Sequence, residues 1–109
     1  MGGEWVIKPL GIYIAYISWG EDGKKRPVLV ISRQGDVVSA FKITSRYEGK
    51  SSVVKSKYVI ITEWQEAGLD KLSYIDISKI INLPYASIRN LVGMLSEKDK
   101  ITLKESLEQ

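Results

Sequence analysis

The side chains best suited to chemistry lie in a basic stretch that leads into an aliphatic run. Lys24, Lys25 and Arg26 precede Pro27 and the run Val-Leu-Val-Ile-Ser at residues 28–32. The chain contains neither histidine nor cysteine, which removes the commonest general base, the commonest metal ligand and every thiolate. Any catalysis must therefore use Arg, Lys, Asp, Glu, Tyr, Ser or Thr, and we predict no disulfide, no metal site and no cofactor.

The distribution of charge is more informative than the net charge of +3. Residues 24–57 hold nine basic and two acidic side chains, a net of +7, whereas the remainder holds seven basic and eleven acidic groups, a net of −4. Such a segment attracts a polyanion such as a nucleic acid. The simpler alternative is a solvated, lysine-rich sheet edge that discourages aggregation.

The apolar pattern predicts a mostly β chain. Strands are expected over residues 11–19, 28–32, 37–45, 53–61 and 73–83, with a loop at 20–25, a tight turn at Gln34-Gly35-Asp36 and a polar loop at 46–52. Pro84 ends the fifth strand, and residues 83–95 are expected to be extended or to form a short turn. Thr62 and Gly68 bound a short helix near residues 63–68.

A C-terminal helix is predicted near residues 97–108, with Ser96 as its N-cap and Asp99 in the position of the acid in a capping box. Short strands, polar loops and a closing helix indicate a strongly bent sheet or a small SH3-like barrel. The length fits one domain, residues 1–109, with a ragged lead-in at 1–9. No signal peptide and no membrane-spanning run is recognised, so we expect a soluble, cytoplasmic protein.

The order of several short motifs resembles the MazF/PemK family of toxins, over about residues 10 to 108. The motifs are Arg26-Pro27 before an aliphatic strand, Ile43-Thr44-Ser45 at the end of the next strand, Gly68-Leu69, Ser73-Tyr74-Ile75, and the segment from Gly93 to Asp99. The strand at residues 11–19 also resembles the first strand of that family.

The resemblance implies an SH3-like barrel with a C-terminal helix, a homodimer, and metal-independent cleavage of single-stranded RNA to 2′,3′-cyclic phosphate and 5′-OH ends. Arg26 and Thr44 correspond to the catalytic pair of the family, and Ser45 is an adjacent candidate. A guanidinium suits this role because its donors match two phosphate oxygens. The implied partner is an acidic, partly disordered antitoxin peptide, with which such toxins bind DNA.

Trp19, Tyr47 and Tyr58 are interleaved with the basic residues of the segment 24–57 or lie close to its ends. Proteins that stack single-stranded bases combine aromatic and basic side chains in this way. The predicted RNA contacts are Trp19, Lys24, Lys25, Lys42, Arg46 and Tyr47. Trp19 alternatively closes one end of the barrel, and Tyr58 belongs to the same pattern.

Several alternatives remain open at the level of sequence. Arg26 is alternatively an ordinary surface residue before a proline, and Thr44 a strand-end residue whose hydroxyl bonds to the backbone. The acidic residues Glu63, Glu66, Asp70 and Asp76 are interpreted as a solvated face, and no residue is identified as the proton acceptor. The rival functions are a non-catalytic toxin that binds a protein target, as gyrase-inhibiting relatives do, and an RNA-binding domain without cleavage.

Overall fold

The computed structural model describes residues 7–19 and 22–109, with only the backbone described at Trp19. The strands are β1 (Gly11–Trp19), β2 (Asp22–Gln34), β3 (Val37–Thr44), β4 (Tyr58–Ile61), β5 (Ser73–Pro84) and β6 (Ile88–Met94). The helices are α1 (Ser52–Lys55) and α2 (Glu97–Leu107), and a 3₁₀ turn covers Tyr85–Ser87. The predicted mostly β chain with a C-terminal helix is therefore confirmed.

The six strands form one antiparallel sheet in the order β4-β5-β3-β2-β1-β6. Register shifts between Val30 and Ser32 on β2 and between Ala40 and Lys42 on β3 interrupt the ladders, and such irregularities bend a sheet. Within the described residues, β4 and β6 remain unpaired edges, so the predicted barrel is not closed by strand pairing.

The segment 62–68 comes from the end of β4 and passes against β6. A Cβ placed on Gly93 of β6 would lie 2.3 Å from the carbonyl oxygen of Ala67, and one placed on Gly68 would lie 2.3 Å from that of Val92. The two backbones are thus in direct contact, which only glycine permits at these positions. Gly68 also has a positive φ of 88°. Backbone contact therefore joins the two sheet edges without a hydrogen-bonded ladder.

Each face of the bent sheet has its own apolar cluster, because side chains alternate along every strand. One cluster, which includes Ile12, Leu29 and Ile75, packs under Leu103 of α2. The other, which includes Ala15 and Val28, lies on the opposite face with Tyr13, Val30 and Val38. The second face is the one that carries the polar site described below.

Three expectations from the sequence are corrected. Residues 22–25 are not a loop: β2 begins at Asp22 because its pairing with β1 continues to the Trp19–Asp22 pair. Gly20 and Glu21, and residues 1–6 of the expected lead-in, lie outside the described residues. The β1–β2 hairpin is thus longer than the polar composition of that segment indicates.

The predicted strand over residues 53–61 is shorter than expected. Its first half is the helix α1, because the Ser51 side chain accepts a hydrogen bond from the Val54 N–H and caps that turn. The predicted short helix near 63–68 is wrong, since this segment is a succession of hydrogen-bonded turns. The C-terminal helix is confirmed, with Ser96 accepting from the Asp99 N–H as its N-cap.

Candidate functional site

Pairing between neighbouring strands aligns a row of side chains across the sheet. Lys42 of β3 lies opposite Val28 of β2 and, on its other side, opposite Asp76 of β5. Tyr58, the first residue of β4, also lies opposite Asp76. Because directly paired residues project from the same face of a sheet, Lys42, Asp76 and Tyr58 share one face.

Arg26 and Thr44 lie on the same face, two residues further along β2 and β3. Val28 and Lys42 are cross-strand partners. Arg26 comes two residues before Val28, and Thr44 comes two residues after Lys42. Side chains two residues apart on a strand point in the same direction. The two residues that the sequence resemblance selects as a catalytic pair are therefore brought together, and both line one pocket.

This basic pocket is partly open and has a volume of about 280 Å³. The residues that line it are Ile17, Arg26, Lys42, Ile43, Thr44, Arg46, Lys50, Tyr58 and Asp76. Four cationic side chains and one carboxylate give the lining a net charge of +3. Among the described residues the only direct ion pair joins Lys100 and Glu97 of α2. No carboxylate of the described residues therefore forms a salt bridge with the cations of the pocket. Such a pocket attracts an anion such as a phosphodiester.

The hydroxyl of Thr44 has a defined orientation at the end of β3. Its oxygen accepts a hydrogen bond of 3.0 Å from the backbone N–H of Arg46. Because that bond uses a lone pair of the oxygen, the hydroxyl proton remains available for donation to a ligand. Thr44 therefore combines the backbone role of an ordinary strand-end residue with a donor at the pocket wall.

Asp76 supplies the carboxylate of the basic pocket, where it lies among four cationic side chains and no other acidic residue of the predicted acidic face. Its Oδ1 accepts hydrogen bonds from the backbone N–H of Ser78, at 3.0 Å, and from the Ser78 hydroxyl. Both bonds end on Oδ1, so Oδ2 is the oxygen left for a ligand or a proton. Asp76 is thus held in place by its own strand.

Ser45 lines a second recess of about 180 Å³, here called the Ser45 pocket. Ile43 lines both this recess and the basic pocket, and so do three polar residues, Arg26, Thr44 and Arg46. These three side chains therefore form the wall between the two recesses. A chain-like ligand whose phosphate lies on this wall can extend into a recess on either side.

Three tyrosines cluster beside the basic pocket. The rings of Tyr47 and Tyr74 are stacked, with centroids 4.3 Å apart and an angle of 10° between planes. Tyr58 is tilted against both, its centroid 6.1 Å from that of Tyr47 and 6.3 Å from that of Tyr74. The Lys55 ammonium lies 4.7 Å from the Tyr47 centroid. Tyr47 is thus packed within the cluster, and Tyr58 is the member that lines the pocket.

The structure divides the remaining predicted contacts between the two faces of β2. Lys24 shares the face of Arg26 and pairs with Ile17, which lines the basic pocket. Lys25 pairs with Tyr16 and projects from the opposite face, so the structure does not bring it to the pocket. The Trp19 side chain lies outside the described residues.

Lys50 and Asp76 line the basic pocket without having been predicted to do so. The feature that could have identified Asp76 is its position opposite Lys42 on the neighbouring strand, because residues of opposite charge favour such cross-strand positions. Its recognition requires the knowledge that β5 pairs with β3, which the local sequence pattern does not contain. Lys50 lies in the polar loop after β3, and the composition of a loop does not indicate which way its side chains point.

Among residues 7–19 and 22–109, no group of three or more His, Cys, Asp and Glu side chains is arranged to hold a metal ion. The described helices include none that is both long enough and apolar enough to cross a membrane.

The fold is that of the MazF toxins, which confirms at the level of fold the resemblance seen in the sequence. The Mycobacterium tuberculosis toxin MazF-mt6 superposes with a TM-score of 0.66 at 22% identity, over 89% of this chain and 91% of that chain. A mycobacterial endoribonuclease solved in complex with its cognate antitoxin gives a TM-score of 0.64 at 14% identity, over 91% and 86% of the two chains.

A further solved structure, of a toxin from M. tuberculosis, gives a TM-score of 0.62 at 21% identity, over 90% of this chain and 96% of that one. No protein-family model and no curated protein matches the sequence. At these identities the likeness concerns the fold, and the residues of the pocket must be assessed by their own geometry.

Proposed function

We propose that this chain is a sequence-selective, metal-independent endoribonuclease toxin that cleaves single-stranded RNA. The observation that carries the proposal is the adjacency of Arg26 and Thr44 in a pocket of net charge +3 that also contains a carboxylate. The likeness in fold to MazF-mt6 and to mycobacterial endoribonucleases supports the same activity.

RNA carries its own nucleophile, the ribose 2′-OH. When the 2′ oxygen attacks the neighbouring phosphorus, an O2′–P bond forms and the P–O5′ bond breaks, which leaves a 2′,3′-cyclic phosphate and a 5′-OH end. Negative charge grows on the phosphoryl oxygens during this step. The Arg26 guanidinium offers a fork of donors to two of these oxygens, and the Thr44 hydroxyl donates to one of them.

The proton of the 2′-OH requires an acceptor, and Asp76 is the acceptor that the pocket offers. Its Oδ1 is engaged by Ser78, so Oδ2 is the atom that takes the proton as the O2′–P bond forms. The departing 5′ oxygen takes a proton from water. Catalysis then consists of positioning, charge stabilisation and one proton transfer.

An acidic antitoxin peptide is the proposed protein partner, and it would cover the same cations that bind RNA. The charge of the pocket and the mycobacterial endoribonuclease solved with its antitoxin support this assignment. As in the sequence-based expectation, we propose a homodimer that acts in the cytoplasm, where mRNA is found, and that binds DNA together with the antitoxin. Sedimentation of the free protein, and of the protein mixed with a candidate acidic antitoxin peptide, measures both assemblies.

The test is incubation of purified protein with several single-stranded RNAs in the presence of EDTA. We expect cleavage at defined sites, with fragments whose 5′-OH ends can be phosphorylated directly and whose 3′ ends carry a cyclic phosphate. A substrate with deoxyribose at the cleaved nucleotide lacks the nucleophile and should remain intact.

Arg26→Ala is the decisive variant, and Arg89→Ala is its matched control. Arg89 is an exposed arginine on β6 that lines neither recess and is separated from β2 by β1. Arg26→Ala should abolish cleavage while Arg89→Ala cleaves as the parent protein does. Intact RNA in every reaction, or equal cleavage by the parent and Arg26→Ala, would refute the proposed nuclease.

A further inference from the structure

The wall formed by Arg26, Thr44 and Arg46 determines where the nucleotides on either side of a bound phosphate lie. These three residues line both recesses, so a phosphate on the wall has the basic pocket on one side and the Ser45 pocket on the other. The nucleoside on the first side enters a recess that contains an aromatic ring, and the nucleoside on the other side does not.

We propose that Tyr58 is a nucleobase-stacking residue for the nucleotide that occupies the basic pocket. The inference rests on the proposed nuclease function and specifies how that site holds its substrate. Tyr58 is half-buried, and among the described residues it is the one aromatic side chain that lines the basic pocket. Stacking on aromatic rings beside cations is the common way in which proteins hold single-stranded bases.

The neighbouring tyrosines fix the Tyr58 ring before any ligand arrives. Tyr47 and Tyr74 form a parallel stack, and Tyr58 is tilted by 48° and 37° against these two rings. The opposite position of Tyr58 and Asp76 on β4 and β5 also places the ring beside the proposed proton acceptor. A ring held in this way loses little conformational entropy when a base stacks on it.

This arrangement has a consequence for sequence preference. Every base has a π face, so stacking on Tyr58 tolerates any base at its position. The Ser45 pocket instead presents polar side chains, among them Ser45, Asp70 and Ser73, which can read the edge of a base by hydrogen bonding. Selectivity for one nucleotide should therefore be weak on the Tyr58 side of the cleaved bond.

The experiment uses an RNA that the parent protein cleaves, with the cleaved bond mapped first. Two analogues each lack the base at one nucleotide beside that bond. The value of kcat/KM is measured on all three RNAs for the parent, Tyr58→Leu, Tyr58→Trp and the control Tyr16→Leu. Tyr16 is a tyrosine exposed to 38% on β1, and its pairing with Lys25 places it on the opposite face of the sheet.

We expect Tyr58→Leu to lower kcat/KM on intact RNA by about 5- to 150-fold, the range for loss of one stacked base. Removing the base on the Tyr58 side should lower kcat/KM of the parent by a similar factor. The same removal should hardly change kcat/KM of Tyr58→Leu, because the stacking contact that the base makes is already absent from that variant. Tyr58→Trp retains the stack and should rescue activity, and Tyr16→Leu should behave as the parent does.

A binding measurement separates the inference from the nuclease proposal. An RNA with deoxyribose at the cleaved nucleotide and 2-aminopurine on the Tyr58 side should show fluorescence quenching with the parent and weaker quenching with Tyr58→Leu. Equal losses for Tyr58→Leu on intact and both abasic RNAs would mean that the tyrosines serve packing only, and the inference falls while the nuclease stands. A parent that neither cleaves nor binds RNA overturns both.

Discussion

Two hydrogen bonds connect Thr62 to a single oxygen of Asp99. The Thr62 backbone N–H, at 3.1 Å, and the Thr62 hydroxyl, at 2.7 Å, both donate to Oδ1, while the Glu63 N–H donates to Oδ2 at 2.9 Å. Asp99 is only 1% exposed. A carboxylate that the sequence indicated as part of a helix cap therefore ties α2 to the segment that follows β4 and passes against β6.

Asp99→Ala should be one of the most destabilising substitutions in the chain. It removes the acceptor of three hydrogen bonds. The N–H groups of Thr62 and Glu63 then have no partner at a buried position. We expect the free energy of unfolding to fall by about 3 kcal/mol, measured by urea denaturation.

Ser96→Ala provides the comparison for Asp99→Ala, because it removes only the side-chain cap of the same helix. Its expected cost is about 1 kcal/mol. If Asp99→Ala costs no more than Ser96→Ala, the connection between α2 and residues 62–63 contributes nothing beyond the cap.

Gly93→Ala tests the backbone contact that joins the two edges of the sheet. The new Cβ would lie 2.3 Å from the carbonyl oxygen of Ala67, so one backbone segment must move away. We expect a loss of about 2 kcal/mol in the free energy of unfolding, with a lower Tm by differential scanning calorimetry. Activity per folded molecule should also fall if the displaced segment disturbs the Ser45 pocket, to which the neighbouring Leu69 belongs.

Gly49→Ala separates this contact effect from backbone strain. Gly49 has a positive φ of 85°, and nothing lies within 4 Å of its added Cβ. Only the cost of a left-handed backbone is then incurred, about 1 kcal/mol. A Gly93→Ala protein as stable as the parent would show that the 62–68 segment accommodates the methyl group without strain.

Local patterns in the sequence were sufficient to predict most of the strands and the C-terminal helix. Alternation and β-branched runs predicted β1, β3 and β5, and the turn at Gly35, where φ is 59°, fixed the hairpin that places Arg26 beside Thr44. Both halves of that hairpin are close in sequence, so their proximity follows from one turn. Helix α1 was missed because Val53 and Val54 favour a strand by propensity, while the Ser51 cap stabilises a single helical turn.

The part of the site that could not be predicted depends on contacts between distant segments. Asp76 reaches the pocket only because β5 pairs with β3, and the shift between Ala40 and Lys42 sets which residue of β5 faces Lys42. A one-residue change in register would place Asp76 on the other face of the sheet. The direction of Lys25 likewise depended on recognising that β2 extends to Asp22.

The salt dependence of RNA binding counts the cations that contact phosphate. For single strands, the slope of log K against log salt is about −0.7 for each phosphate contact. Lys42→Ala removes one cation of the basic pocket and should reduce the slope by about 0.7, measured by fluorescence anisotropy on an RNA that contains deoxyribose at the cleaved nucleotide. Lys98→Ala, an exposed lysine on α2, should leave the slope unchanged, and an unchanged slope for Lys42→Ala would exclude Lys42 from the binding surface.

Thr44→Val and Thr44→Ser separate the hydroxyl of Thr44 from its shape. Valine has the same shape without the donor, whereas serine keeps the hydroxyl, so Thr44→Val should lower kcat by about 100-fold and Thr44→Ser by only a few-fold. KM should change little in both, because the donor acts on charge that grows in the transition state.

Thr44→Val also removes the acceptor of the Arg46 N–H, at a cost of about 1 kcal/mol in stability, so a thermal melt must confirm that the variant is folded. Thr102→Val on α2, whose hydroxyl donates to the Lys98 carbonyl, controls for loss of a threonine hydroxyl as such. A kcat for Thr44→Val that equals that of Thr44→Ser would remove Thr44 from the chemical step and leave Arg26 as the only proposed phosphate ligand of the pair.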